Sequence, residues 1–281
     1  MMNWRHKALA FRVLSIIPFG DALHYQLQRR VTHSLPRNDE SLAQRIEEAR
    51  WIVEEFERNG GKRAGAIFLE LGAGRDLTVP LAMRFLGVER VVTIDIQRLV
   101  KLDLIQDAAS RVASHLGRKA PEIRAWRDLL AFGIDYRAPA RTAAVGDLID
   151  CFFSLVTLEH LPPEAIKEEL LAAREIMRST GQAIHIIDYS DHFAHLDHRL
   201  SPVNFLRYSS AEWRPFNSRF QYVNRLRHSQ FLEIFKQAGF RIVAEKKRDA
   251  KRLPSVIAPE FASFAAGDLA AIEGRISAAS V

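Results

Sequence analysis

The chain has 281 residues, 48% of them apolar and 26% charged, which is enough to bury the core of one large domain and excludes general disorder. A single cysteine, Cys151, excludes an internal disulfide framework and a cysteine-rich zinc site. Lys and Arg number 40 against 34 Asp and Glu; the formal charge of +6 suits nucleic acid, anionic lipid or an acidic substrate and selects none of them.

Residues 1–37 carry six Lys/Arg and only Asp21 as an acid. Their apolar patch is interrupted by Arg12, and Pro18-Phe19-Gly20-Asp21 follows where a secretory leader would have a small-residue cleavage site. No stretch approaches the ~18 apolar residues of a membrane span. The segment is predicted to be a basic helix folded over the domain; a peripheral membrane contact is the second reading. The expected setting is cytoplasmic, with that contact at the inner face of the membrane.

Leu42, Ile46, Ala49, Val53 and Phe56 have helical spacing that stops at Asn59-Gly60-Gly61. Residues 67–71 are short and uniformly apolar, as a buried strand is. Leu77, Leu81 and Phe85 mark a helix that begins near Asp76 and ends at Gly87. Strands are predicted at 91–95, 134–138, 149–156, 183–188 and 240–244, with helical sequence over 98–131, broken around Gly117 and Pro121. Pro162-Pro163-Glu164 opens a helix that Gly181 is expected to close, and 229–239 reads as another. The run 275–281 is expected to return as an antiparallel edge strand beside the sixth.

This alternation predicts an α/β, Rossmann-like doubly wound sheet, mostly parallel, with helices on both faces. Residues 1–63 form an expected N-terminal helical cap. Residues 64–281 form the main domain, with insertions at 189–227 and 247–273. Long insertions at the carboxyl ends of strands are where such enzymes build substrate sites.

Residues 67–95 are the most informative stretch. The first strand ends in Glu70, a Gly72-Ala73-Gly74 turn follows, and the second strand ends in Asp95. Glycines there let the backbone approach a ligand, the following helix presents free N–H groups to an anion, and Asp95 can accept both hydroxyls of a ribose. The competing role for Asp95 is a helix N-cap.

At this point the chain resembles the class I S-adenosylmethionine-dependent methyltransferases. Glu70-Leu71-Gly72-Ala73-Gly74 matches their first motif, Asp95 their acid after the second strand, and Asp150-Cys-Phe-Phe-Ser154 through Leu158-Glu159-His160-Leu161 their fourth-strand motif. The resemblance covers roughly residues 64–246, and several segments look like an uncharacterised bacterial branch. It implies a seven-stranded sheet with an antiparallel last strand, and S-adenosyl-L-methionine as cofactor. The cofactor set it implies is Glu70, Gly72, Ala73, Gly74, Asp95, Ile96 and Ser154. Two positions depart from the pattern. Asp76 stands where a third glycine is often found and could repel the cofactor's carboxylate, with Arg75 as a possible offset. Arg141-Thr142 replaces an acid expected to reach the adenine amine.

Methyl transfer needs a base only if the acceptor must lose a proton. Among His160, His185, Asp188, Asp191, His192 and His195, the expected catalytic set is His192, His195 and His160, although a structural hydrogen bond also suits His160 and a core position suits His185. The run Asp188–His198 is rich in His and Asp but matches no metal-ligand spacing, so no metal is expected. Arg207, Tyr208, Trp213, Arg214, Tyr222 and Arg225 are the expected acceptor-binding set, with plain packing as the competing role.

These features together suggest methyl transfer to a small-molecule, glycan or lipid-linked acceptor. A catalytically weak or inactive cofactor-binding protein is the alternative, and a nicotinamide-dependent oxidoreductase a further one. Nucleic acid is not an expected partner, since no recognisable module for it is attached.

Overall fold

The computed structural model describes residues 3–195, 197 and 199–280. Helices α1 (Trp4–Ile16), α2 (Gly20–Arg30) and α3 (Asp39–Arg58) precede β1 (Ile67–Leu71), α4 (Thr78–Phe85), β2 (Arg90–Ile94), α5 (Leu102–His115), α6 (Trp126–Ala131) and β3 (Ile134–Arg137). Then come β4 (Ile149–Leu155), α7 (Pro163–Glu175), β5 (Met177–Asp188), α8 (Ser210–Trp213), α9 (His228–Gln237), β6 (Phe240–Asp249), α10 (Ala266–Ala270) and β7 (Ala271–Ser280).

The seven strands form one sheet in the order β3-β2-β1-β4-β5-β7-β6. β1 through β5 are parallel, and β7 is antiparallel to both β5 and β6. The expected α/β fold is therefore present, with one correction at its margin. The last strand lies between β5 and β6, so β6 is the edge. Pairing on both sides lets β7 bury Ile276 and Ala278, which an edge position would leave half covered.

Both faces of the parallel strands are covered, which explains their nearly continuous apolar runs. Alternate residues divide between two cores. Phe68, Val91 and Phe153 face α3, α4 and α5, while Leu69, Val92 and Phe152 face α7 and α9. A third core joins Trp4 and Ala8 of α1 to Phe193, Phe205 and Trp213 of the insertion after β5, and to Phe261 of the insertion after β6. Trp4 is the hinge pin of this core, with ring centroids of Phe216 at 4.7 Å and Phe193 at 5.2 Å.

Gly181 does not close the helix. α7 ends at Glu175, and Gly181 lies within β5, in a register shift between Ile149/Met177 and Cys151/Gln182. A Cβ on Gly181 would stand 2.1 Å from Met177 Cγ, so the glycine answers a packing demand. β6 and β7 also take both ends of the stretch 247–273, because antiparallel pairing carries the hairpin past the apolar positions that mark it in sequence.

The strand order reverses between β1 and β4. α/β sheets bind ligands at such a switch point, outside the carboxyl ends of the strands. The carboxyl ends of β1, β2 and β4 therefore define where to look.

Candidate active site

Parallel pairing puts Glu70 of β1 opposite Thr93 of β2. Thr93 Oγ1 donates to Glu70 Oε2 at 2.5 Å. Burial pushes the Glu70 carboxyl up to about 8, the neighbouring Asp76 and Asp95 add to the effect, and the Thr93 hydrogen bond works against it. Glu70 thus largely keeps its proton at neutral pH until a cation arrives beside it.

The chain turns through Gly72 at φ +94°, where a Cβ would meet Thr157 Oγ1 at 2.5 Å. Gly74, at φ +65°, has open space where a side chain would be. The helix after the turn begins at Thr78, two residues later than expected, after Leu77 takes a left-handed conformation. Asp76 stands just before its N-cap, Leu77, and binds its first residue: Oδ1 accepts from Thr78 N at 3.1 Å and from Thr78 Oγ1 at 2.9 Å. Its other oxygen accepts from Arg37 Nε at 2.6 Å. Arg75 has a different task, lying 5.5 Å from the centre of the Tyr25 ring of α2. Arg37 is itself held by its carbonyl, which accepts from Arg111 of α5 at 2.7 Å.

A cavity of about 430 Å³ opens over these residues. Glu70, Gly72, Ala73, Gly74, Asp95 and Ile96 line it, joined by Leu155, Val156, Thr157 and His160 from the end of β4 and beyond. Asp95 Oδ1 accepts from Gln97 N at 2.9 Å, and α5 starts only at Leu102, so Asp95 is not that helix's N-cap. Burial raises the pKa of Asp95, and hydrogen bonds from the Gln97 and Gly74 amides oppose it.

Three guanidinium-bearing residues at this cavity, Arg37, Arg45 and Arg219, were not anticipated from sequence, nor was Thr157. Arg45 did carry a signal. It lies three residues after Leu42 and four before Ala49, on the apolar stripe of α3, where it donates to Glu48 Oε2 at 2.9 Å and also lines the cavity.

Ser154 is elsewhere. Its Oγ lies 2.7 Å from His185 Nδ1 in the interior and forms no part of the cavity wall. The chain leaves β4 through Val156 at φ +47°, a strained conformation for a β-branched residue, and this turn makes Leu155–Thr157 the wall. His185 is core: its ring lies between Phe152 and Phe235, and burial depresses its pKa to about 3. The departure at Arg141 has a local explanation. Its Nη1 lies 3.5 Å from Glu169 Oε1, while Asp147 is paired with Arg90 and Arg137, so neither faces the cavity. Gln97 and Leu99 line that end instead.

His160, His192 and His195 stand in a row, with ring centroids 5.1 Å and 5.3 Å apart. His160 Nδ1 donates to the Tyr222 carbonyl at 2.7 Å. Asp188, at the end of β5, places Oδ2 at 3.4 Å from His192 Nε2 and 3.6 Å from His195 Nε2. Burial disfavours the Asp188 carboxylate, but hydrogen bonds from His192 and Ser190 outweigh it and hold the pKa well below the usual range. Asp191 is tied to Asn204 Nδ2 and Phe193 N and anchors the loop. His198, the last residue of the run, lies outside the described residues.

The expected acceptor-binding residues separate into groups. Trp213 is buried among Trp4, Phe193 and Phe205, and Tyr208 packs on the same rings. Arg225 is buried, donating to Tyr208 O at 2.7 Å and to Glu260 at 2.8 Å, over the Phe261 ring. These three hold the insertion together, because its described residues form no strand or long helix to satisfy the backbone and need side-chain anchors. Arg207 and Arg214 are exposed. Tyr222 lines a second cavity of about 360 Å³ together with His160 and Arg219, both of which also line the first.

A seven-stranded sheet in this order, with β7 antiparallel and the cavity at the reversal point, is the class I S-adenosylmethionine-dependent methyltransferase fold. Among solved structures, the chain is similar to magnesium protoporphyrin IX methyltransferase from Synechocystis PCC 6803 with bound SAH, at 11% identity and a TM-score of 0.52, covering 94% of this chain and 96% of that one. It is also similar to the PH0226 protein from Pyrococcus horikoshii OT3, at 13% identity and a TM-score of 0.52, covering 91% of this chain and 99% of that one. At these identities the likeness is one of fold. No family model matches the sequence, and no curated protein matches it.

Proposed function

We propose that the protein transfers a methyl group from S-adenosylmethionine to an acceptor outside the nucleic-acid class. The observation that carries this reading is one cavity bounded by Glu70, the Gly72–Gly74 turn and Asp95, in a size range that takes small ligands. The residues fit the cofactor. A buried, largely protonated Glu70 is suited to a ligand ammonium, Arg45 and Arg37 to its carboxylate, and the cavity-lining Asp95 carboxylate to ribose hydroxyls, while Gly74 leaves backbone room.

When bound, S-adenosylmethionine supplies an electrophilic methyl group on a sulfonium. The protein's part is to orient the acceptor and exclude water. His195, with Asp188 beside it, is the proposed base for an acceptor that must lose a proton. The grounds for an inactive protein are weakened, because Arg37 neutralises Asp76 and Arg141 is turned to Glu169. A nicotinamide enzyme is disfavoured by the antiparallel β7 inserted between β5 and β6.

Within the acceptor classes, the α1–α2 hairpin favours a lipid-linked one. Leu9, Val13, Ile16 and Leu23 are exposed on it, and Phe19, in the turn between the helices, is 87% exposed. The excess of Lys and Arg over residues 1–37 adds attraction for anionic headgroups. Asp21 of α2 pairs with the cavity residue Arg219 at 3.0 Å, so the hairpin adjoins the site. No helix among the described residues is long and apolar enough to cross a membrane, and the proposal is one of surface contact.

Calorimetry with S-adenosylmethionine tests the core of this reading. Micromolar binding, lost in Asp95→Ala, is expected, and absence of binding to the intact protein overturns it. Transfer of labelled methyl groups into a cell extract, followed by product identification, names the acceptor.

A further inference from the structure

Among the described residues, Glu159, His160 and His192 each offer a ligand atom, and these atoms all lie within 4.8 Å of one another. We propose that these three residues bind a divalent transition-metal ion, Zn²⁺ or a chemically similar ion, at the junction of the two cavities. Two imidazoles and one carboxylate are a donor set suited to zinc and its first-row neighbours, and three protein ligands leave positions open for an exogenous oxygen.

Glu159 gives an independent reason. It is 1% exposed, and neither carboxylate oxygen has a hydrogen-bond partner, with His160 Nε2 4.0 Å from Oε1. A buried carboxylate left unsatisfied is costly, and a coordinated cation removes that cost. The outer contacts also suit ligation. His160 donates Nδ1–H to the Tyr222 carbonyl, which fixes its tautomer and leaves Nε2 as the donor atom, and Asp188 stands beside His192.

The three residues come from separate places. Glu159 and His160 belong to the helical turn after β4, and His192 to the insertion after β5. Parallel β4–β5 pairing brings the two segments together, which is why the run Asp188–His198 showed no ligand spacing on its own. His160 lines both cavities, which puts one of the three ligands beside the space left for an acceptor.

This assignment rests on the methyl-transfer reading only for its role. An ion there would hold and acidify an acceptor hydroxyl. The hydroxyl oxygen then attacks the methyl carbon, the carbon–sulfur bond breaks with its electron pair going to sulfur, and the hydroxyl proton passes to His195. The proposal narrows the acceptor to one that presents oxygen.

The test is titration of the full, chelator-treated protein with Co²⁺ alone, read by its visible d–d absorption, followed by displacement with Zn²⁺. One saturable site is expected, weakened at least about tenfold in His192→Ala and in Glu159→Gln, since loss of even an outer contact has that effect. His160→Gln, at a partly exposed position, gives a third reading should the Glu159 variant fail to fold. His115→Ala, on α5, serves as the control and is expected to keep the site. No saturable absorption, or an unchanged affinity in the variants that fold, overturns the proposal. Neither outcome bears on calorimetric binding of S-adenosylmethionine, so the two readings can fail separately.

Discussion

Arg37 Nε lies 2.6 Å from Asp76 Oδ2, joining the segment between α2 and α3 to the loop beneath the candidate cofactor cavity. An acid at position 76 would otherwise face that cavity unneutralised, and the pair leaves its other oxygen bound to the first residue of α4. Arg37→Ala is expected to destabilise the fold by about 1–3 kcal/mol, the range for a charge-assisted bond whose buried partner is left behind. Adding Asp76→Asn should recover part of that loss. Chemical denaturation of both variants and the double variant measures the coupling, and additive losses would remove the pair's role.

Glu70 makes the empty protein sensitive to pH. The native carboxyl titrates at about 8 and the unfolded one near 4.5, so between these values the folded state keeps a proton that the unfolded chain releases. The contribution of Glu70 to the stability of the empty protein is therefore greatest below 4.5, falls as pH rises, and has lost on the order of 5 kcal/mol above about 8. Glu70→Gln should flatten this dependence and stabilise the empty protein at pH 8 while weakening S-adenosylmethionine binding. Melting temperatures across pH 5–9, with and without ligand, check both effects.

Asp95 and Arg45 act on the two ends of the proposed ligand. Asp95→Ala and Arg45→Met should each lower S-adenosylmethionine affinity about 10- to 100-fold, equivalent to one or two charge-assisted hydrogen bonds. The α3 helix content, followed by circular dichroism, should not change in Arg45→Met.

Arg225 and Arg207 belong to the same stretch of sequence but differ in burial. Arg225→Ala leaves the Tyr208 carbonyl without its Arg225 donor and Glu260 with only the Ser210 donors, and should cost about 2–4 kcal/mol of stability. Arg207→Ala, at an exposed position, should leave stability within about 0.5 kcal/mol. Equal melting shifts would contradict the structural role given to Arg225.

The hairpin tip predicts a membrane effect. Flotation with vesicles containing anionic lipid should recover the protein, neutral vesicles should recover less, and raised salt should release it. Phe19→Asp should abolish recovery without lowering S-adenosylmethionine affinity. Self-association unaffected by vesicles would point instead to a second copy on that face.

The sequence by itself determined the fold and marked one half of the candidate site. The strand runs, the Gly72–Gly74 turn and the acids at Glu70 and Asp95 are legible because they rely on local rules: apolar periodicity, glycine's access to positive φ, and the fixed distance across one β-α-β unit. The tertiary structure decided what local rules cannot reach. Arg37 meets Asp76 across 39 residues, and Glu159 and His160 meet His192 only because β4 and β5 pair. The order β5-β7-β6 follows from which strand is left to cover β5, a choice with no mark in the run 271–280 itself. Ser154 and Arg225 show the same limit. Their side chains carry chemistry that reads as functional in sequence, and burial assigned one to His185 and the other to Glu260, because an interior polar group must be satisfied by whatever the fold places beside it.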